Sequence, residues 1–149
     1  SCIQQMVDVY SEKKCSVIGT QTVPISESYK YGMVAGPVLK EGLSRVDDIV
    51  EKPKPAEAPS DQAVVGRYIL TPAIFDKIKT TKRGAGNEFQ LTDSIAELRK
   101  QEEIVAYSFK GRRFDCGSKN GYLEANVEIA LQHDDLAEDF KNYLKSLDI

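Results

Sequence analysis

An acid, a base and a proline stand together where an apolar segment ends. Ile49 and Val50 run directly into Glu51, Lys52 and Pro53. A carboxylate accepts hydrogen bonds from neighbouring hydroxyl groups, and an ammonium is a point charge suited to phosphate. Because α/β proteins bind ligands at the carboxyl ends of strands, the pair describes a site for a phosphorylated sugar. The alternative, which local sequence favours, is a surface ion pair beside a turn.

Two glycines and an arginine are further candidates for a binding site. Gly32, in "YKYGMV", is either a turn glycine or a position where backbone amides approach a ligand closely. Gly66 interrupts a β-branched run, which indicates a bulge or a close approach of a ligand. The neighbouring Arg67 is either solvated or contacts a phosphate or hydroxyl group.

Asp115, in "RRFDCGSKNGY", lies between an aromatic segment and a turn of small residues. One interpretation is a turn or cap residue, a common role of aspartate. The other is a ligand of Mg²⁺, which usually takes one or two protein carboxylates together with phosphate and water. Lys119 and the amides of the following helix would then face an anionic ligand.

Composition excludes several classes of protein. The chain has 149 residues and a net charge of -3, so nothing general favours nucleic-acid binding. Its three cysteines are widely spaced and it has a single histidine, which argues against a zinc site or a disulfide framework. No apolar run approaches a membrane span. We therefore expect reduced thiols in a cytoplasmic protein.

Helical and strand-like patterns alternate along the chain, which predicts an α/β fold with a mixed β-sheet. A helix carrying Ile3 and Met6 precedes a strand closed by Pro24, and residues 29–50 read as a hairpin or meander. Residues 53–61 form a proline-rich loop, and "QAVVGRYILT" reads as a buried strand.

The second half of the chain predicts mainly helices, with several expected caps. Thr71 and Pro72 predict the start of a helix through Ile78, and Thr92 caps the next helix. A strand follows at "EIVAYSF", and Lys110-Gly111 turns it back into "RRFDCG". A helix runs from Asn120, and Asp135 with Glu138 predicts a capping box for the last one.

Four segments in fixed order carry a resemblance to a known family: "KYGMV", "DIVEKPKPAEAPSDQAVVGRYIL", "GAGNEFQLTDSI" and "FDCGSKNGY". Over essentially all 149 residues the chain resembles the carboxyl-terminal half of bacterial UTP:glucose-1-phosphate uridylyltransferases. The resemblance implies part of a Rossmann-like nucleotidyltransferase fold, a mixed sheet flanked by helices. Its amino-terminal nucleotide-binding half, with a glycine-rich Gly-Thr-Arg loop, is absent from this sequence.

The resemblance also implies a reaction and roles for residues. The phosphate of glucose 1-phosphate would attack the α-phosphorus of UTP in line, with Mg²⁺, giving UDP-glucose and pyrophosphate. Such chemistry depends on positioning and charge neutralisation. The implied catalytic residue is Lys52, which also contacts the phosphate joined to the sugar, and the implied metal ligand is Asp115. The other implied substrate-binding residues are Glu51 at the glucose hydroxyls, Gly32 through its amide, Gly66, Arg67 and Lys119.

The domain expectation follows from the same resemblance. Residues 1–149 would be the carboxyl-terminal portion of a single nucleotidyltransferase domain, with the helices from about residue 120 in homo-oligomer contacts. The partner would be the missing amino-terminal half, and this chain alone would have little or no turnover. The alternatives are a non-catalytic sugar-phosphate-binding or assembly domain, and a related nucleotidyltransferase with another base or sugar.

Overall fold

Seven strands form one mixed sheet in the computed structural model, which describes residues 1–147. The spatial order is β3-β4-β7-β1-β6-β2-β5. In chain order, the strands are β1 (Ser16–Thr22), β2 (Gly32–Ala35), β3 (Val38–Lys40), β4 (Leu43–Arg45), β5 (Asp48–Glu51), β6 (Gln62–Ile69) and β7 (Ile104–Ser108). The meander predicted for residues 29–50 is confirmed as β2 to β5.

The centre of the sheet is β1, which pairs with β7 in parallel and with β6 in antiparallel orientation. The remaining strand pairs are antiparallel. The predicted mixed sheet is therefore confirmed. The register between β1 and β6 shifts between Ile18 and Thr20, which pair with Tyr68 and Val64. Gly66 lies within this irregularity with a φ of 71°, so the bulge predicted for Gly66 is confirmed.

Within residues 1–147, five α-helices flank the strands or follow them. They are α1 (Cys2–Lys13), α2 (Ile74–Thr80), α3 (Leu91–Leu98), α4 (Lys119–Ala130) and α5 (Ala137–Ser146). Adjacent strand residues point to opposite faces of the sheet, so Val17 packs with Met6 of α1, whereas Ile18 packs with Ile74 and Ile95 of α2 and α3. The two apolar clusters hold these helices against the two faces. Within residues 1–147, none of the helices combines the length and the apolar content needed to cross a bilayer.

The chain divides into two compact units. The first comprises Ser1–Gly111 and holds the whole sheet with α1, α2 and α3. The second begins at Arg112 and holds α4 and α5. The domain predicted for residues 1–149 extends over both units, and its last two residues lie outside the described part of the chain.

Two of the predicted caps in the first unit are wrong. The helix expected after Thr71 begins at Ile74, and its N-cap residue, Ala73, has no side-chain cap bond. The Thr71 hydroxyl instead donates to Oε1 of Glu102 at 2.8 Å. Thr92 lies inside α3, whose N-cap residue is Gln90. In both cases the threonine hydroxyl donates to a carboxylate far away in the sequence instead of capping the helix.

Two predictions for the second unit also fail. Residues 112–115 have no regular secondary structure, so the expected strand is absent from this described segment. Cys116 and Gly117 form a turn, in which Ser118 N–H donates to the carbonyl of Asp115 at 3.1 Å. The helix α5 begins at Ala137, not at Asp135, and it has no side-chain cap. The amides of Leu136 and Ala137 both donate to the carbonyl of His133, so a backbone turn occupies the place of the capping box.

Candidate functional site

The strand β5 ends at Glu51 because the next two residues leave the sheet geometry. Lys52 has a φ of 47°, in the left-handed region that non-glycine residues rarely adopt. Its N–H donates to the carbonyl of Tyr31 at 2.9 Å. Pro53 is buried, and its carbonyl accepts a hydrogen bond from the buried Oγ of Ser28 at 2.9 Å. These contacts fix the chain as it leaves the strand.

The carboxylate of Glu51 has a different neighbour at each oxygen. Its side chain is only 13% exposed, while that of Lys52 is 48% exposed. Oε2 accepts a hydrogen bond from the Thr92 hydroxyl at 2.8 Å. Oε1 lies 3.8 Å from Nζ of Lys52. The site therefore presents a held carboxylate beside a solvent-facing ammonium.

Gly32 lies directly opposite Glu51 in the pairing of β2 and β5. A Cβ at this position would lie 2.8 Å from Cγ2 of Thr92 and 3.1 Å from Oε2 of Glu51. Contacts this short require a neighbouring atom to move. Glycine is therefore needed here for the close approach of Thr92 and Glu51. Gly32 lies in β2 rather than in a turn, and a contact of its amide with a ligand stays a prediction.

Tyr68 borders Glu51 on the same face of the sheet. It packs against the apolar cluster that contains Val64 and Ile49. Burial, and to a lesser extent the negative charge of Glu51, raise the pKa of the Tyr68 hydroxyl. We call Gly32, Glu51, Lys52, Tyr68 and Thr92 the Glu51 site. It combines a carboxylate, an ammonium and a neutral phenol, which can bind a ligand bearing both hydroxyl groups and negative charge.

Gly66 and Arg67 are neighbouring exposed residues of β6. Gly66 is exposed, and a Cβ there would meet no atom within 4 Å. Nη1 of Arg67 donates to the Gly66 carbonyl at 3.2 Å. Arg67 also lies near the thiol of Cys2 in α1. Burial raises the pKa of this thiol, and the positive charge of Arg67 opposes the rise in part. Arg67 thus borders α1, whereas Glu51 borders α3, and a ligand contact for Gly66 or Arg67 stays a prediction.

Asp115 and Lys119 belong to the second unit. Asp115 is exposed, and its Oδ1 accepts a hydrogen bond from Gly117 N–H at 3.2 Å. Its carbonyl accepts the hydroxyl of Ser118, which in turn caps α4 through Gly121 N–H. Asp115 therefore has the turn role that its sequence context predicts, and its carboxylate remains accessible. Lys119, the first residue of α4, is exposed.

The described part of the chain has no cluster of side chains that could coordinate a metal ion by itself. Residues 1–147 contain no group of three or more His, Cys, Asp or Glu side chains arranged to hold an ion. Asp115 nevertheless offers an exposed hard oxygen, the ligand type that Mg²⁺ prefers. Asp115 can therefore serve as the single protein ligand of a metal ion whose other ligands are phosphate and water.

A separate cavity of about 510 Å³ lies elsewhere on the first unit. It is bordered by residues that include Thr20, Gly36, Arg45 and Gln62, and by no member of the Glu51 site. The Arg45 guanidinium is bonded to Asp47 at 2.7 Å, and the Gln62 amide to Thr22 at 2.8 Å. These polar groups already have partners within the protein, so the cavity offers less binding chemistry than the Glu51 site.

Sequence reasoning missed two members of the site, Thr92 and Tyr68. The preference of threonine for helix starts predicts a cap at Thr92 and hides its contact with Glu51. The signal in the sequence is that Thr92 lies in "GAGNEFQLTDSI", a segment of the same family pattern as the one that contains Glu51. Tyr68 follows Arg67 directly, and alternation along β6 places the two side chains on different faces.

Comparisons with known proteins agree with the resemblance found in the sequence. The family model described as nucleotidyl transferase matches residues 2–132. A UTP–glucose-1-phosphate uridylyltransferase of Staphylococcus epidermidis is 46% identical over 148 residues, which are 99% of this chain and 51% of that protein. The Pseudomonas aeruginosa enzyme of the same name is 50% identical over 125 residues, 84% of this chain and 45% of that protein.

Solved structures give the same result. A UDP-glucose pyrophosphorylase complexed with UDP-glucose matches with a TM-score of 0.85 and 44% identity, covering 89% of this chain and 50% of that one. A UTP-bound enzyme of Acinetobacter baumannii matches with a TM-score of 0.82 and 35% identity, covering 97% of this chain and 50% of that one. The chain spans about half the length of the relatives it matches.

Proposed function

The chain belongs to the nucleotidyl transferase family, and from this premise we propose that the protein is a UTP:glucose-1-phosphate uridylyltransferase whose sugar-phosphate site is the Glu51 site. The observation that carries the proposal is the position of Lys52 beside Glu51. A held carboxylate lies 3.8 Å from an exposed ammonium. Its relatives of 46–50% identity carry the uridylyltransferase name.

The proposed reaction joins a uridylyl group to a sugar phosphate. An oxygen of the glucose 1-phosphate phosphate group forms a bond to the α-phosphorus of UTP. The bond from that phosphorus to the bridging oxygen of the β-phosphate breaks, and pyrophosphate leaves. No proton needs to move in this step when the attacking phosphate is ionised, so the protein contributes mainly by positioning and by charge neutralisation.

The residues of the Glu51 site have separate roles in this proposal. Glu51 accepts hydrogen bonds from glucose hydroxyls through Oε1, which does not face Thr92. The Lys52 ammonium contacts the phosphate and offsets its charge as the new bond forms. Gly32 brings a backbone amide close to the sugar without a side chain in the way. Gly66 and Arg67 are also proposed contacts of the ligand, and Arg67 lies beside α1.

We propose that Asp115 is the metal ligand of this chain. Proteins of this family generally use a divalent cation, and we propose Mg²⁺. When bound, Mg²⁺ would neutralise charge on the phosphates. Asp115 would hold it through its exposed carboxylate, with phosphate and water supplying other ligands. Lys119, at the first turn of α4, would add a positive charge for an anionic ligand.

Two further proposals concern the setting of the reaction. The three cysteines are free thiols, which supports a reducing compartment such as the cytoplasm. The helices α4 and α5 carry exposed apolar side chains, among them Tyr122, Leu123 and Tyr143. This supports the proposal that the helices take part in homo-oligomer contacts.

The test of the function is pyrophosphate release from UTP by the intact gene product. We expect release that depends on both glucose 1-phosphate and Mg²⁺, with UDP-glucose as the second product. Binding of glucose 1-phosphate without release would favour a non-catalytic binding domain. Release with another nucleotide or another sugar phosphate at higher kcat/KM would favour a related transferase. The 149-residue chain alone is expected to bind the sugar phosphate with little or no turnover.

The metal proposal has its own test, the variant Asp115→Asn. Asparagine can keep the hydrogen bond from Gly117 N–H through its amide oxygen but loses the negative charge. We expect the Mg²⁺ concentration for half-maximal rate to rise at least about tenfold, a loss of about 1.4 kcal/mol. Asp134→Asn, at an exposed position between α4 and α5, is the matched control. An unchanged Mg²⁺ titration would return Asp115 to a turn role alone.

A further inference from the structure

Thr92 connects α3 to the carboxylate of Glu51. It lies in the first turn of α3 and is 5% exposed. Its hydroxyl donates to Oε2 of Glu51 at 2.8 Å, across 41 residues of sequence. A buried hydroxyl bonded to a carboxylate forms a charge-assisted hydrogen bond, which is stronger and more directional than a neutral one.

The two branches of the Thr92 side chain face different groups. Oγ1 contacts Glu51, and Cγ2 lies 2.8 Å from the place where a Cβ on Gly32 would be. A β-branched side chain has few allowed χ1 rotamers. Exchanging the two branches would turn the methyl group toward the carboxylate and leave a buried oxygen without its acceptor. The surroundings therefore keep the hydroxyl directed at Glu51.

This contact makes the two carboxylate oxygens different: Oε2 is hydrogen-bonded to Thr92, and Oε1 remains available to a ligand. The bond from Thr92 to Oε2 restrains the carboxylate, and Oε1 lies on the side of Lys52. A carboxylate that is fixed before binding loses less conformational entropy when it accepts hydrogen bonds from a ligand. The orientation of Oε1 toward a sugar thus depends on a hydroxyl that need not touch the sugar.

We propose that Thr92 is a positioning residue that sets the affinity for the sugar phosphate by orienting Glu51. The proposal rests on the function assigned above to the Glu51 site. It differs from that function because it gives the residue no contact with substrate. It also predicts that α3 and the segment before it influence sugar recognition through this one hydrogen bond.

The variants Thr92→Val and Thr92→Ser separate the hydroxyl from the methyl group. Valine has nearly the same shape without the donor, and serine keeps the donor. In the intact protein, we expect Thr92→Val to raise the KM for glucose 1-phosphate about tenfold or more, while the KM for UTP stays within about twofold. Thr92→Ser should remain within about threefold of the wild-type KM. Calorimetric titration with glucose 1-phosphate should show the same pattern in Kd.

Ser94→Ala is the matched control. Ser94 is on the same helix and is 2% exposed, and its Oγ is hydrogen-bonded to Oγ1 of Thr81 at 2.6 Å rather than to Glu51. Its loss should lower the melting temperature without changing the KM for the sugar phosphate. If Thr92→Val does not fold, Thr92→Ser and Thr92→Ala can be compared instead, since both lack the methyl group and only serine has the hydroxyl.

The outcomes distinguish this inference from the proposed function. An active wild-type protein whose Thr92→Val variant keeps the KM and Kd of the wild type would overturn the positioning role and leave the function intact. A wild-type protein that binds glucose 1-phosphate without turnover would overturn the transferase function. The positioning role would then be decided by the Kd values of the same variants. An equal rise in Kd for Ser94→Ala would also overturn it, because the effect would then be a general disturbance of α3.

Discussion

A side chain added at Gly32 would place its Cβ 3.1 Å from Oε2 of Glu51. The same atom would lie 2.8 Å from Cγ2 of Thr92. One missing side chain on β2 therefore leaves the space in which a carboxylate from β5 meets a hydroxyl from α3. The absence of a Cβ is a requirement of the site as well as of the packing.

Replacing Gly32 with alanine tests this relationship. The added methyl group must displace Thr92 or Glu51, so we expect a loss of about 1–3 kcal/mol in the free energy of unfolding. If Glu51 binds the sugar hydroxyls as proposed, the KM for glucose 1-phosphate should also rise, because the displaced carboxylate would lose these contacts. Denaturant unfolding and steady-state kinetics measure the two effects.

Gly42→Ala provides the control for Gly32→Ala. Gly42 has a φ of 72° at the turn between β3 and β4, which lies at the opposite edge of the sheet from β5. A left-handed alanine there should cost about 1–2 kcal/mol. Its KM for the sugar phosphate should equal that of the wild type. Equal kinetic effects of the two substitutions would show that Gly32 matters only for stability.

Lys52→Met removes the ammonium and keeps most of the aliphatic chain. We expect kcat/KM to fall by at least about 100-fold, because the proposed charge-assisted contact of Lys52 with phosphate would be lost. The free energy of unfolding should change by less than about 0.5 kcal/mol, since the side chain is 48% exposed. Lys54→Met, two residues along the same loop and also exposed, should keep the wild-type rate. Turnover near the wild-type level in Lys52→Met would remove Lys52 from the mechanism.

Tyr68→Phe tests the raised pKa of Tyr68 through the dependence of the free energy of unfolding on pH above neutrality. An unfolded tyrosine has a pKa near 10, and burial together with the charge of Glu51 raises the folded value. This contribution to stability is fully present below about pH 10 and is lost as the pH rises through the folded pKa. The wild type should therefore lose stability above about pH 10 more steeply than Tyr68→Phe does, as measured by urea unfolding between about pH 8 and 11.

Two further variants check the cause of this pH dependence. Tyr29→Phe changes an exposed tyrosine and should keep the alkaline slope of the wild type. Glu51→Gln removes the nearby negative charge, so the pKa of Tyr68 should move down toward its usual value. Parallel stability curves for the wild type and Tyr68→Phe would contradict the assigned surroundings of Tyr68.

The sequence allows good predictions of elements whose signals are local. The end of β5 follows from the change from Ile49 and Val50 to Glu51, Lys52 and Pro53. The alternation of apolar and polar residues, the glycines and the prolines are sufficient for the strands of the meander. The interleaving of helices and strands is sufficient for a mixed α/β sheet. Each of these depends on residues a few positions apart.

The contacts of the threonines could not be predicted in the same way. Thr71 and Thr92 both stand near helix starts, and the local preference of threonine predicts a cap for each. Their hydroxyls instead donate to Glu102 and Glu51, which are 31 and 41 residues away. The register of the sheet and the packing of α3 bring these groups together. A preference worth about 1 kcal/mol is easily exceeded by a charge-assisted bond.

Glu102 is the acceptor of a second, partly buried hydrogen-bond network, and this gives a prediction for stability alone. Its Oε1 accepts hydrogen bonds from Ser16 Oγ at 2.9 Å and from Thr71 Oγ1 at 2.8 Å. Ser16 Oγ in turn accepts the N–H of Thr71 at 3.1 Å. The network connects the segment between α3 and β7 to β1 and to the residues after β6.

Glu102→Ala should therefore destabilise the fold strongly. It leaves the buried hydroxyl of Ser16 and the hydroxyl of Thr71 without an acceptor, which should cost about 1–3 kcal/mol in the free energy of unfolding. Glu102→Gln should cost less, because its amide oxygen can accept both bonds. The neighbouring Glu103 is exposed, so Glu103→Ala should change the free energy by less than about 0.5 kcal/mol. Equal losses in Glu102→Ala and Glu103→Ala would mean that the network contributes nothing beyond surface charge.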